Sequence, residues 1–369
     1  VERSNVGVLT ALAILAGLIV VHEAGHFLAA TWQGIRVSGF SIGFGPALLK
    51  RRRGGVLYAL RAIPLGGFVS FPDDDDPGET PFRSDDPNLL CNRPLPQRAL
   101  VIAAGVLANL ALAWAVLLAQ GLALGIPAGF STTPGVLVAA VQAGQPAARA
   151  GLQAGDRIVA LQGQELSGGQ QAVGDLVERI RQSPDQRLAI AAERQGQRQQ
   201  LWLVPDDQGG IGRIGAQLQP NGSELFRAPH SPLEPIRQAN ADFLVLIQRT
   251  VSGFGALLTH FGETAGQVSG PVKIVEMGAS LAEQGGSSLF MFTALISINL
   301  AVLNALPLPL LDGGQFLLLL IEGLRGRPLP LHFQTAFLQS GFVFLVGLSL
   351  ILIVKDTSQL PVVQQLLAR

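Results

Sequence analysis

The chain has 369 residues, of which 48% are hydrophobic and 14% charged, with a mean hydropathy of +0.39. Soluble globular proteins carry about 25% charged residues, so this composition excludes an ordinary soluble enzyme and points to a membrane protein with a water-exposed portion. Lysine plus arginine match aspartate plus glutamate at 26 each, which removes any electrostatic case for a nucleic-acid partner, and the single cysteine, Cys91, excludes an intramolecular disulfide and a cysteine-rich metal site.

The first predicted element is a membrane-spanning helix. Apolar residues run almost unbroken from Val6 to Val21 and from Phe27 to Ala30, and Glu23 is the only Asp, Glu, Lys or Arg between Ser4 and Ile35. The segment is too long for a signal h-region and no small-residue cleavage signal follows it, so it is expected to be retained. Within it stands His22-Glu23-Ala24-Gly25-His26. Residues four apart share a helix face, so His22 and His26 can offer two imidazoles to one ion, while Glu23 can reach a water on that ion. An ionisable group inside a membrane costs about 2.5–3.5 kcal/mol, and three polar groups on one turn there need a joint purpose. Metal binding supplies one; a hydrogen-bonded cluster between helices is the alternative.

Arg36 to Phe71 follows, with short β-prone runs, glycine-rich breaks around Gly43-Phe44-Gly45 and Pro64 to Gly67, and a basic cluster Lys50 to Arg53 before Gly54-Gly55. This pattern predicts a hairpin or small sheet, and its apolar character places it against the membrane or dipping into it. Pro72 to Pro96 reads as a mobile loop whose acidic run, Asp73 to Asp76, is a solvated linker rather than a metal site. Ala99 to Ala119 is a second run of spanning length. Its one amide, Asn109, serves either a helix–helix hydrogen bond or the site.

Thr133 to about Pro205 has the composition of a soluble domain. Pro146 to Gly163, with Ala150-Gly-Leu, Gly155-Asp156 and Ile158, resembles the corresponding stretch of bacterial PDZ domains. The resemblance implies a groove helix over Leu176 to Arg181 and strands over Leu188 to Ala192 and Gln199 to Val204. Such a groove takes a peptide or chain terminus by strand addition, or blocks bulky substrates. Pro235 to about Gly285 shows helical spacing on both sides of Gly270-Pro271, expected as two amphipathic helices at the membrane surface, with His230 and His260 incidental.

Leu289 to Leu311 is a third spanning segment, broken by Pro307 and Pro309 before Asp312. Such a break at membrane depth is tolerable only where the backbone is buried in protein or lines a wet cavity. Asp312 is the natural third ligand for a site that has two histidines. Leu331 to Val354 is the fourth span. Lys50 to Arg53, with Arg325 and Arg327, place their loops in the cytosol by the positive-inside rule; Lys355 argues mildly the other way.

The expected fold is thus an α-helical polytopic membrane protein with four transmembrane helices, a membrane-associated β-hairpin region and an inserted α+β PDZ domain. Its divisions are a first helix over 1–35, the hairpin region and loop over 36–97, a second helix over 98–125, the PDZ domain over 131–215, amphipathic helices over 216–288, the third segment over 289–327, and the fourth helix with a tail over 328–369.

His22-Glu23-x-x-His26 in the first span, a PDZ-like insert after the second, and Asn304-x-x-Pro307-x-Pro309-x-x-Asp312-Gly313 in the third together resemble the site-2 protease family, nearly end to end, and within it the bacterial regulator of sigma-E protease group. The resemblance implies an intramembrane zinc metalloprotease in the bacterial inner membrane, with Zn2+ on His22, His26 and Asp312 and Glu23 as base. It implies that Asn304, with Pro307 and Pro309, holds the substrate strand, and that Gly43 and Gly45 belong to a membrane-reentrant hairpin that pairs with substrate. The implied partners are membrane lipid and single-span proteins already trimmed on the outer side, such as anti-sigma factors or signal-peptide remnants, met by a site facing the cytosol with the PDZ domain outside. Two departures stand out. There is room for one PDZ domain where the enteric member has two, and Val106 replaces the proline of A-G-P-x-x-N, a change expected to alter helix packing rather than chemistry. Two rival functions remain. An inactive metal-binding scaffold would have no use for Glu23, and a metal or proton transporter should show internal repeats and polar residues in both membrane halves.

Overall fold

A computed structural model describes residues 2–72, 85–142, 144–194, 196–260, 270–284 and 286–358; the acidic run at 73–76 lies outside them. The chain divides into one compact unit of residues 1–123 and 230–353 and another built on 124–229.

The first unit begins with α1 (Glu2–Trp32). Strands β1 (Gly39–Arg53) and β2 (Val56–Ser70) follow, then a 3-10 turn over Leu90–Asn92 and α2 (Leu95–Ala123). Four described helices are long and apolar enough to cross a membrane: Val6–Trp32, Leu95–Ala123, Gly286–Ala305 and His332–Lys355. Apolar helices gain little from each other in lipid, so close packing and hydrogen bonds must hold them together. At Gly25, α1 meets α2 so closely that a Cβ would lie 2.4 Å from the Ala104 carbonyl oxygen.

The loop before α2 is tied to the end of α1. Arg36 Nε donates to Asp86 Oδ2 at 2.9 Å and Arg93 Nη2 to the Gly34 carbonyl at 3.0 Å. The Asn88 backbone N–H and the Arg36 guanidinium hold the Asp86 carboxyl below the usual carboxylate range.

The hairpin turns at Gly54-Gly55, whose φ of +59° and +86° are what a two-residue turn of the I′ type requires and what only glycine adopts freely. The pairing is more than a simple ribbon. Residues 47–53 pair with 56–61, whereas 39–42 face 57–60 in ascending order on one side and 70–67 in descending order on the other. Among the described residues, 57–60 therefore have strand neighbours on both sides and 67–70 on one. The register breaks over 42–47, where Gly43 (φ +89°) and Gly45 (φ +81°) carry the bend.

After the second unit the chain returns through α5 (Glu234–Thr259), α6 (Pro271–Gln284), α7 (Gly286–Ala305), α8 (Asp312–Arg325) and α9 (Leu331–Ser358). Ala113 and Leu117 of α2, Ala239 and Leu246 of α5, and Ala294 and Ile298 of α7 form one buried cluster. Hydrogen bonds cross it: Trp114 Nε1 to Asn240 Oδ1 at 2.7 Å, and Thr250 Oγ1 to Asn299 Oδ1 at 2.9 Å. Helix α6 packs against α1, with Gly278 beside Ala11 and Phe292. Two helices were expected over this stretch, and among the described residues α5 and α6 lie there, each packed on spanning helices.

The second unit is α+β. Strands β3 (Ile126–Val141), β4 (Arg157–Leu161), β5 (Gln164–Glu165), β6 (Leu188–Arg194) and β7 (Gln197–Leu203) precede the short pair β8 (Asp206–Asp207) and β9 (Gly212–Arg213), and β10 (Ala216–Arg227) follows. The main sheet runs β10-β3-β4-β6-β7, with β5 beside β4. A short α3 (Pro146–Arg149) and α4 (Gly169–Arg181) complete it. Leu176 and Ile180 of α4 join Val136, Ile158, Ile190 and Leu203 in its core. The fully buried Asp156 accepts from Arg194 at 2.7 and 2.8 Å and from the Gln153 N–H, which closes the loop before β4.

One expected boundary is corrected here. Residues 216–227, assigned to amphipathic helices from the sequence, form β10 and pair with β3 along most of its length. The alternation in Ala216-Gln-Leu-Gln finds its partner some 80 residues upstream, which no local pattern announces.

Candidate metal centre

Three side chains from two helices meet inside the first unit. His22 and His26 are one turn apart on α1, and Asp312 is the first residue of α8. The two Nε2 atoms stand 3.3 Å apart, and Asp312 Oδ2 lies 3.2 Å from the first and 3.3 Å from the second. Among the described residues this is the one group of at least three His, Cys, Asp or Glu side chains able to hold a metal ion.

The residues fit a metal. Donors held at about 2.0–2.2 Å around a tetrahedral ion stand about 3.3–3.6 Å from each other, the spacing of this triangle to within a tenth of an ångström. His26 Nδ1 lies 2.8 Å from the Val101 carbonyl oxygen. That carbonyl can only accept, so Nδ1 carries the proton and Nε2 presents its lone pair inward. Asp312 Oδ2 is buried and has no hydrogen-bond partner. Electron pairs directed at one another in a buried place need a cation between them. With neutral imidazoles, Glu23 and Asp312 bring a formal charge of minus two, which a divalent ion offsets.

Each of the three side chains is placed by a local feature. Helix α2 shows Gly105 to the histidines; a Cβ there would sit 2.3 Å from His26 Nε2 and 2.7 Å from His22 Cε1. Asp312 is delivered by the break after α7. Pro307 and Pro309 stop that helix, Leu310 takes a left-handed φ of +75°, and the chain re-enters a helix at Asp312. Gly313 and Gly314 let α8 start against this turn, since Cβ atoms there would lie 2.3 Å from the Leu306 oxygen and 2.0 Å from the Leu308 oxygen. An ion pair fixes the same helix further on, Arg98 Nη1 of α2 donating to Glu322 Oε1 of α8 at 2.7 Å.

Glu23 stands outside the triangle. It is flanked by β2, where a Cβ at Gly67 would come within 3.0 Å of its Cγ. Asn304 Nδ2 is 3.5 Å from His22 Nε2, at the rim of the site. Pro307 lines a cavity of about 350 Å³ beside Asp312, together with Val106, Ala305, Gly313 and Phe316. Val106, expected to affect helix packing alone, thus faces open space next to a ligand. Pro309 lies instead against Gly341 of α9. Gly43 and Gly45 are not brought to the triangle: their near neighbours are Arg61 and Ile63, and they bend the hairpin.

Sequence reasoning missed Gly67, Gly105 and Val101 and left Asn109 undecided. The closely spaced glycines could have signalled the first two, because a glycine inside an apolar helix or strand often marks where something approaches the backbone.

A sequence profile described as "Peptidase family M50" matches residues 10–348. A protein of Nostoc sp., named "Putative zinc metalloprotease all3971", is 48% identical over 355 residues, covering 96% of each chain. The "Putative zinc metalloprotease slr1821" of Synechocystis sp. is 46% identical over 99% of this chain and 98% of its own length. The "Membrane metalloprotease ARASP, chloroplastic" of Arabidopsis thaliana is 43% identical over 98% of this chain and 80% of its own.

Proposed function

The chain belongs to peptidase family M50, the site-2 protease family, and on that premise we propose that it is an intramembrane zinc endopeptidase acting on the transmembrane segments of single-span membrane proteins. The observation that carries this reading is the triangle of His22 Nε2, His26 Nε2 and Asp312 Oδ2, set between apolar helices with Glu23 next to His22 in sequence.

Zinc bound by the three side chains supplies Lewis acidity toward a water and a scissile carbonyl. Glu23 accepts the proton of the attacking water and returns it to the leaving nitrogen. Gly67 of β2 packs against its side chain. Asn304 donates its amide hydrogens to the substrate backbone at the rim of the site. A scaffold reading leaves Glu23 without a task, and a metal transporter reading finds a single metal-binding cluster among the described residues.

A transmembrane substrate must unwind before it can be cut. An added strand replaces the helical hydrogen bonds it gives up. Residues 56–63 cannot be that edge, because 57–60 are flanked on both sides; the edge beside Glu23 is 67–70. Replacing Val69 by proline removes an N–H from this edge, and cleavage of helical substrates is expected to fall at least tenfold with zinc content unchanged. Parent-level cleavage by Val69→Pro abandons strand addition.

The substrates proposed are anti-sigma-factor or signal-peptide remnants already cut on the outer side, in regulated intramembrane proteolysis. The protein is placed in a bacterial cytoplasmic membrane, with Lys50 to Arg53 on the cytosolic side and residues 124–229 on the other. That second unit, with α4 against β3 and β10, is read as a PDZ-type module that takes a peptide or chain terminus or sets which substrates are admitted.

The test is cleavage of a single-span reporter in native membranes. Product is expected to vanish on removal of metal by a chelator and to return with added zinc. Cleavage that continues at the parent rate after complete metal removal sinks the proposal.

A further inference from the structure

Helix α2 contributes no ligand to the metal centre, yet it touches the far nitrogen of both histidines. Val101, Gly105 and Asn109 form one stripe on it at four-residue spacing. Val101 takes the Nδ1 proton of His26 through its carbonyl, and Gly105 leaves room for the two rings. Asn109 stands at the His22 end, with its side-chain amide nitrogen 3.3 Å from His22 Nδ1.

Asn109 is 0% exposed, and its Oδ1 is buried without a hydrogen-bond partner. An amide nitrogen beside His22 suits only a bare Nδ1, whereas a protonated Nδ1 needs an acceptor, and one half-turn of the amide, which exchanges its oxygen and nitrogen, supplies it. The oxygen then takes the place of the nitrogen beside His22 Nδ1 and accepts its N–H. The same half-turn completes the metal site. A proton on Nδ1 leaves Nε2 with its lone pair directed at Asp312 and His26, as a metal ligand requires. The residue is well anchored for such a task, since Ser297 Oγ of α7, itself fully buried, donates to the Asn109 carbonyl at 2.8 Å.

We propose that Asn109 is the positioning residue of the metal centre: its amide oxygen accepts the Nδ1 proton of His22 and so holds the ring in the tautomer and orientation that bind zinc. This rests on the zinc reading above and adds to it a specific role for a residue on a helix that supplies no ligand.

The test uses the purified full chain in detergent and measures zinc affinity by competition with a chromophoric chelator, with the cobalt-substituted absorption spectrum as a second readout. Asn109→Leu keeps the shape and removes the acceptor; zinc binding is expected to weaken about 10–100-fold, with an altered cobalt spectrum. Asn109→Asp keeps an acceptor at the same place and is expected to restore both. Zinc affinity at the parent level in Asn109→Leu overturns the proposal. So does equal weakening in Asn109→Asp, which would show that the oxygen is not what matters. A parent chain that binds no zinc overturns instead the metal reading beneath it.

Discussion

Glu23→Gln is expected to lower reporter cleavage about 10²–10⁴-fold while zinc binds as it does in the parent, the range that loss of a positioned acid–base group produces. The separation follows from the geometry. His22, His26 and Asp312 form the donor triangle, and Glu23 is held apart from it between α1 and the edge of β2. Glutamine fills the same volume, so α1 and the hairpin keep their places. It cannot take a proton from water at neutral pH. Zinc stoichiometry by elemental analysis and product yield at matched protein level decide the matter. A Glu23→Gln chain that cleaves at the parent rate means that the proton goes elsewhere and the scheme is wrong; one that loses zinc as well means that Glu23 is a ligand.

Asp312→Asn is expected to give the opposite dissociation: both metal and cleavage are lost. The amide has the size of the carboxylate and suits a helix start, so α8 should still begin at 312, against the turn that Pro307 and Pro309 produce. What disappears is the anionic oxygen that two imidazoles face at 3.2 and 3.3 Å. Zinc affinity should fall by more than the roughly 10–100-fold that loss of an outer-shell partner costs, and cleavage should drop to background. Parent-level zinc affinity in Asp312→Asn removes Asp312 from the ligand set.

The positions that were legible in the sequence are those where a membrane makes polarity costly. His22, Glu23, His26 and Asp312 stood out because apolar helices surround them, and the structure brings the three proposed ligands within bonding reach of one ion. Positions that could be polar or small for several reasons were not legible. An amide such as Asn109 suits a helix contact as well as a site, and only the face of α2 that meets α1 settles where it points. Gly105 reads as a packing glycine until both imidazoles are found against it. The hairpin was legible as a hairpin, since Gly54-Gly55 marks a tight turn. Its edge was not, because 39–42 and 57–60 become neighbours through a bend at Gly43 to Gly45 that strand periodicity does not encode. Strand β10 escaped for the same reason, its partner being remote in sequence.

The pairing of α1 with α8 also bears on how the protein is made. The histidines are in α1, whereas Asn304 follows His22 by 282 residues and Asp312 comes later still. At about 5–20 residues per second the histidines wait roughly 15–55 s for the rest of the centre. During the first part of that wait α1 is without α2 and α8, the helices that complete the centre. The triangle of His22, His26 and Asp312 is complete only once α8 has been made, so the proposed cutting centre cannot form earlier.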